Sequence, residues 1–460
     1  MEVTPQMLSD QGEWSAVQQR FAEFFLADPE CRDEAAFAAL AERDAFLRYD
    51  LQRWLMFLGP AAKQELARAT TDVCRLVCEI PSRVFALDPQ ALAEFYRMPK
   101  EIAQLIAALV TKTDCLKDMV SRADLIWTAE GLQVCEVNAA GNLGGWEVGG
   151  WHGRYRRVPP LARFLDEQGG KVSLTDPLDE SYVHFIEVGR ARGLAASGEL
   201  NLALTSGEVI NEPFTAFVDR GYRAMLEKRL PGVAGRVVLC RPEQVIERSG
   251  RLEVGGLPIQ LVLDASPTQF SRSVFTALMA GTAFAWNGPL STLLSDKTNL
   301  ALLSELESSG DLAPVDAEIV RRHFPWTRRV VGDFTDFSGE RGYLPDLVIE
   351  HRDRLVLKAG LSSSGLAVHL GRNTPPDTWQ KWLDQALAEE GWIVQEFADS
   401  RPFLLGDAQG HPAWQDIVWG TFDYGGTYAG AFLRHKPCEQ EGIINAAQGA
   451  TIGVYYDATE

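Results

Sequence analysis

From the amino terminus to about residue 112, hydrophobic positions recur at mixed three- and four-residue spacings, the period of a helix with one buried face. The pattern predicts helices over Gln18 to Ala27, Asp33 to Leu58 with a break inside it, Ala62 to Cys78, and Pro99 to Thr111, with Pro81 and Pro89 as punctuation. The period then changes. Leu125 to Thr128 and Leu132 to Val137 are rich in strand formers, and Ala129-Glu130-Gly131 between them predicts a hairpin loop whose glycine takes the left-handed conformation. With the loop centred near Glu130, Asp124 faces Glu136 and Arg122 faces Asn138. All four then share one face, because side chains alternate along a strand.

Residues 139 to 151 are too glycine-rich for a regular element and predict a loop, either a cover over a bound substrate or a plain connector. From about 165 to 290 strands alternate with helices: strands at Leu200 to Leu204, Val237 to Leu239 and Ile259 to Leu263, helices at Pro213 to Lys228 and Ser271 to Ala280. That order predicts a small α/β domain with a mostly parallel sheet and a crevice at the carboxyl ends of its strands. A helix start presenting Lys297, strands at Asp346 to Ile349 and Arg354 to Lys358, a helix at Asp377 to Glu390, and strands at Trp392 to Phe397, Trp419 to Tyr424 and Tyr428 to Arg434 follow. The fold class is α/β with α+β character. Its expected division is 1–112 (helical), 113–164 (hairpin and glycine-rich loop), 165–290 (α/β) and 291–460.

Composition narrows the function classes. The 460 residues are 46% hydrophobic and 23% charged, a globular balance with room for several cores. A net charge of −19 without a basic run argues against nucleic acid and anionic lipid as partners. The seven cysteines form neither a disulfide framework nor a zinc pattern, and Cys74 and Cys78, one helical turn apart among apolar residues, read as packed thiols. No targeting segment or membrane-length apolar run is seen, so the cytoplasm is the expected compartment.

Two facing carboxylates repel, so the hairpin needs a compensating cation or one raised pKa. Magnesium suits Asp124 and Glu136, with the Asn138 amide as a further oxygen ligand and Arg122 holding an anion beside it. The alternative is a surface hairpin in which Arg122 pairs with either acid. Lys297 alone reads as an exposed helix lysine. Lys358, followed by Ala359-Gly360-Leu361-Ser362-Ser363-Ser364-Gly365, suits phosphate under a backbone-rich cover, although neither a P-loop nor a Gly-x-Gly-x-x-Gly is present. Gln395 and Glu396 end an apolar strand where an amide and backbone groups suit adenine. Trp54 to Leu58 reads as core. Arg154, Arg156, Arg157 and Arg163 form either a solvated face or a collector of anionic groups.

Taken together, Arg122-x-Asp124, Glu136-x-Asn138, Lys297, Lys358 with its serine loop, and Gln395-Glu396 resemble the circularly permuted ATP-grasp superfamily, of which glutathionylspermidine synthetase is a member. The resemblance covers about residues 113 to 460; residues 1–112 match nothing assignable and no amidase domain is present. The ordinary metal motif after the hinge is missing here, since Asp416, Asp423, Glu441 and Asn445 make no acidic-x-Asn. The resemblance implies ATP and Mg2+ as cofactors, with Asp124, Glu136 and Asn138 on the metal. It implies that Lys297 and Lys358 bind phosphates under Ser362, Ser363, Ser364 and Gly365. Gln395, Glu396 and Phe397 would hold adenine. Arg122 would act in catalysis, and Arg434 would bind phosphate or substrate unless it makes only a salt bridge. The implied activity is an ATP-dependent carboxylate–amine ligase passing through an acylphosphate, acting on small molecules of the amino-acid, peptide or polyamine class. A non-catalytic nucleotide-binding protein of the same fold and a phosphotransferase remain open.

Overall fold

In the computed structural model, which describes residues 3–460 apart from 44–48, 140–142, 146, 207–211, 265–270, 287–289, 363–366 and 408, the amino-terminal third is largely helical. Helices run over Ala16–Ala27, Pro60–Arg83, Pro89–Tyr96 and Lys100–Thr113. The helix beginning at Pro60 continues past the expected end at Cys78; Pro81 sits in its last turn, where the missing N–H costs a single bond. Two expectations are corrected. The described residues between 33 and 58 do not make one interrupted helix but a 3-10 turn at Glu34–Phe37, a short helix Ala38–Ala41 and a strand Met56–Leu58, after a first 3-10 turn at Pro29–Arg32. The Asp28 and Asp33 side chains accept from the amides of Glu30 and Ala35, local bonds that compete with a continuous helix. Trp54 to Leu58 is core, as expected: every residue of the run is fully buried, and Met56–Leu58 lies parallel to the chain's last strand. The second correction is Asp346 to Ile349, expected as a strand, which lies in the helix Leu344–Glu350. Pro345 presets the first turn and Asp346 faces its positive end, while Leu344, Leu347 and Val348 bury one helical face.

Residues 202 to 286 build the expected parallel sheet, with strands Phe284–Trp286, Leu261–Asp264, Leu202–Thr205 and Val237–Cys240 side by side in that order. Two antiparallel sheets position the candidate site. One has six strands: Thr451–Gly453, Thr427–Pro437, Pro412–Tyr424, Val120–Thr128 and Gly131–Asn138 in order, with Phe403–Gly406 added against Pro412–Tyr424. The early hairpin therefore completes a sheet otherwise made by the end of the chain, with Leu125 paired to Trp419. The other has four strands: Thr327–Arg329, Trp392–Glu396, Leu355–Ala359 and Val368–Leu370. Its outer face carries a small core of its own, where Trp379 and Leu383 of the helix Pro376–Ala388 meet Leu347 and Val348. A much larger core joins Phe21 and Phe57 to Trp127, Tyr182 and Tyr455. The fold is thus mixed α/β. The seven cysteines are free, and among the described residues no helix is long and apolar enough to cross a membrane.

Candidate functional site

The hairpin delivers the pairing the sequence suggests by a different route. Thr128 pairs with Gly131 across a two-residue loop, with Gly131 at φ +121°, and a regular ladder would then set Asp124 opposite Cys135. A bulge at Cys135 adds one residue and brings Glu136 opposite Asp124 and Asn138 opposite Arg122. Asp124 is almost wholly buried, and its neighbours are cations. Arg122 Nε donates to Oδ1 at 2.9 Å and Nη2 donates to Oδ2 at 3.1 Å, while Arg434 Nη2 lies 2.7 Å from Oδ1. Both guanidinium groups lean over the Phe432 ring, at 5.5 and 5.2 Å from its centroid. Arg122 Nη1 also donates to the carbonyls of Leu143 and Gly144, so the described end of the glycine-rich loop holds this arginine.

Across the pair, Asn138 Nδ2 donates to Glu136 Oε1 at 3.1 Å and Lys297 Nζ stands 3.3 Å from Oε2. Burial alone would raise the Glu136 carboxyl; the Lys297 charge, the Asn138 hydrogen bond and the Arg122 charge outweigh it and hold the group well below the usual carboxylate range. Lys297 is buried, not the exposed helix lysine it resembled in isolation. It precedes the helix Thr298–Ser309, and its Nζ also donates to the Ser362 carbonyl at 2.7 Å. Lys358 Nζ donates to the Cys135 carbonyl at 3.0 Å and to Gln395 Oε1 at 2.5 Å. Burial lowers the Lys358 pKa, with Cys135 and Glu136 partly offsetting it.

A cavity of about 450 Å³ opens between the two antiparallel sheets, over these residues. Asp124, Glu136, Lys358 and Arg434 line its charged end, and Val356, Leu370, Phe397, Val418 and Ile444 its apolar walls. Glu396 and Phe397 line it too, with Glu396 bonded to Arg354 at 2.6 Å and the Arg372 guanidinium 3.8 Å over the Phe397 ring. The Gln395 amide is spent on Lys358 and on Thr327 Oγ1 at 3.1 Å. Ser362 Oγ donates to Ala359; Ser363, Ser364 and Gly365 lie outside the described residues. Arg154, Arg156, Arg157 and Arg163 do not gather at the site. Arg154 donates to the Ala39 carbonyl, and the others pair with Asp166, Glu42 and Glu30 at 2.6, 2.7 and 3.0 Å.

The compensation the acid pair requires comes from Arg122, Arg434 and Lys297. The donor set still fits a hard divalent cation, because carboxylate oxygens stand beside an Asn138 amide whose nitrogen is the bonded end, leaving its oxygen for a ligand. Arg434 also has unspent capacity: its Nε and Nη2 are buried without an aligned acceptor even though Nη2 contacts Asp124, and the side chain lines the cavity. Sequence reasoning missed Phe432 and the Cys135 carbonyl. Phe432 was within reach, since it stands two residues before Arg434 on one strand and must share its face. The Cys135 carbonyl was not, because a bulge leaves no composition signal.

No family model matches the chain, and no curated protein matches it. Among solved structures, a glutathione synthetase-like effector from Globodera pallida in its apo form is similar over 100% of this chain and 98% of its own, with a TM-score of 0.52 and 12% sequence identity. At that identity the likeness concerns the fold.

Proposed function

We propose that the chain is an ATP-dependent carboxylate–amine ligase of the circularly permuted ATP-grasp type, forming an amide from small-molecule acid and amine substrates. One observation carries the reading: a single cavity is lined by the hairpin's Asp124 and Glu136 together with Lys358 and Arg434 from the far half of the chain, and Arg122 and Lys297 pair with those two carboxylates. Completion of the carboxyl-terminal sheet by the early hairpin is what a permuted order would require, and the full-length likeness to a glutathione synthetase-like fold supports it.

The apolar walls with Phe397 suit a purine ring, and Lys358, Lys297 and the unspent Arg434 donors suit its phosphates. Asp124, Glu136 and Asn138 would hold magnesium, which supplies neutralisation of phosphate charge. As phosphate enters, Lys297 exchanges Glu136 for a phosphate oxygen and frees the carboxylate. Arg122, fixed by Asp124 and two backbone carbonyls, faces the transferring phosphoryl group with little freedom to lose. A substrate carboxylate oxygen attacks the γ-phosphorus, ADP leaves, and the amine then displaces phosphate from the acylphosphate carbon.

Incubation with Mg-ATP and paired panels of amino acids, short peptides and polyamines should release ADP and phosphate with at least one pair. Glu136→Gln should reduce that release by about a hundredfold or more. It is a cleaner probe than Asp124→Ala, which strands two buried guanidinium groups. Undiminished turnover in Glu136→Gln would sink the assignment. The specific observation favouring a non-catalytic nucleotide-binding protein is that three side-chain cations already balance the acid pair. That reading predicts binding without turnover across the panel, and a phosphotransferase predicts a stable phosphorylated product.

A further inference from the structure

Residues 1–112 carry no chemistry in the sequence, yet two consecutive residues of that region reach the base of the site. Tyr96 ends the helix Pro89–Tyr96, and Arg97 follows at φ +54°, the left-handed conformation that turns the chain out of the helix. The Tyr96 hydroxyl donates to Asn299 Oδ1 at 2.8 Å, and Arg97 Nη2 donates to Asp296 Oδ2. Asp296 and Asn299 flank Lys297.

Asp296 is where these contacts meet. Its side chain has 0% exposure, and its Oδ1 accepts from Thr298 N at 2.9 Å and from Thr298 Oγ1 at 2.7 Å, capping the helix behind Lys297. A Cβ on Gly360 would stand 2.4 Å from that same Oδ1, so only glycine lets the loop pass there, and Lys297 N donates to the Gly360 carbonyl at 3.1 Å. Gly360 directly follows the strand that bears Lys358 and opens the loop whose Ser362 carbonyl holds Lys297 Nζ. Gly391, at φ +90°, gives Arg97 its room: a Cβ there would lie 2.8 Å from Cζ. Apart from Arg97, the Asp296 carboxylate is bonded by the amide and hydroxyl of Thr298, directly after Lys297, and it lies close against Gly360, directly after the strand that bears Lys358. Withdrawing Arg97 leaves a buried carboxylate without its countercharge. The relief open to it is to turn toward water, and that gives up the Thr298 cap.

We propose that Arg97 is a positioning residue for the nucleotide: through Asp296 it fixes the start of the Lys297 helix against the Gly360 loop, so the amino-terminal region sets the affinity of the site for a triphosphate. The affinity claim rests on the nucleotide reading of the cavity. The linkage of Arg97 to Lys297 does not.

Two measurements separate them. Hydrogen exchange without nucleotide should show peptides covering 296–300 and 359–362 exchanging faster in Arg97→Ala, with distant peptides unchanged and Arg97→Lys restoring protection. Unchanged exchange at those peptides overturns the linkage. Should Arg97→Ala not fold, Arg97→Gln, which keeps the length and drops the charge, carries the same test. Titration with Mg2+ and a non-hydrolysable ATP analogue should show Arg97→Ala binding roughly tenfold more weakly, with no further loss when Lys297→Ala is already present. Full-strength binding by Arg97→Ala, or the same loss in the Lys297→Ala background, overturns the proposal. A wild-type protein that binds no nucleotide defeats the functional reading instead, and the exchange result still decides the linkage.

Discussion

At the scale of single residues, the site is an exercise in charge balance inside a protein that elsewhere leaves a carboxylate unbalanced. Asp124 is kept among cations, whereas Asp423, on the neighbouring strand of the same sheet, pairs with none among the described residues. One Asp423 oxygen accepts from Gly426 N at 3.1 Å, the other is buried with no partner, and burial pushes the carboxyl up to about 7. The unfolded chain releases that proton near 3.8, the folded chain only near 7, so between those values the unfolded state holds fewer protons. Stability contributed here is therefore present at low pH and falls as pH rises through the window. Asp423→Asn keeps the acceptor for Gly426 and cannot ionise. It should be more stable than wild type at pH ~8 by on the order of 1–3 kcal/mol, read as a higher melting temperature, and match it near pH ~4. The facing of Asp124 and Glu136 was legible in the sequence only because a three-residue loop with regular alternation gives the same pairing as the two-residue loop and bulge that form. Of the cations that answer them, Arg122 was legible as a pairing alternative, whereas Lys297 and Arg434 were not, because both arrive from segments far downstream in the chain.

At the scale of elements, the hairpin and the loop after it work as one piece. The strand Thr427–Pro437 presents Phe432 under both arginines, and two glycines make room for the ring. A Cβ on Gly145 would meet Phe432 Cδ1 and Cε1 at 2.3 Å, and one on Gly420 would meet Cε1 at 2.2 Å. Gly145 also sits at φ +86°, so its replacement is strained twice over. Gly145→Ala should cost about 1–3 kcal/mol in urea unfolding and weaken nucleotide binding by tilting the platform of Arg122 and Arg434. Gly420→Ala, which pushes the same ring from within the sheet, should weaken binding in the same way. Intact affinity in both variants would mean that Phe432 only fills space. Elements of this kind were read unevenly from sequence. Strong helical periods such as Glu212–Arg229 were legible, while Leu344–Glu350 was misread because a short apolar run fits either period and only Pro345 and Asp346 mark it as a helix start. The bulge at Cys135 was hidden, since the two-residue loop and the extra residue together give the pairing that a longer loop alone would give.

At the scale of the whole molecule, pairings between distant segments decide the architecture, and no local pattern announces them. Met56–Leu58 is fully buried because the strand Tyr455–Ala458 lies between it and Val172–Ser173. Gln52 and Asp50 exchange backbone bonds with Ile452 on the same seam, and Gln52 Nε2 reaches the Val454 carbonyl at 3.0 Å. The end of the chain therefore ties the amino-terminal helices to the rest of the fold. If this seam holds the large core shut, removing residues 451–460 leaves an apolar edge strand open to other chains. The truncated protein should then bind a hydrophobic dye, unfold well below the full chain and aggregate on concentration. The small core around Trp379, which lies away from the seam, should keep its exchange protection in the same sample. Uniform loss of protection across both cores would show instead that the molecule unfolds as one unit and that the seam has no separate role.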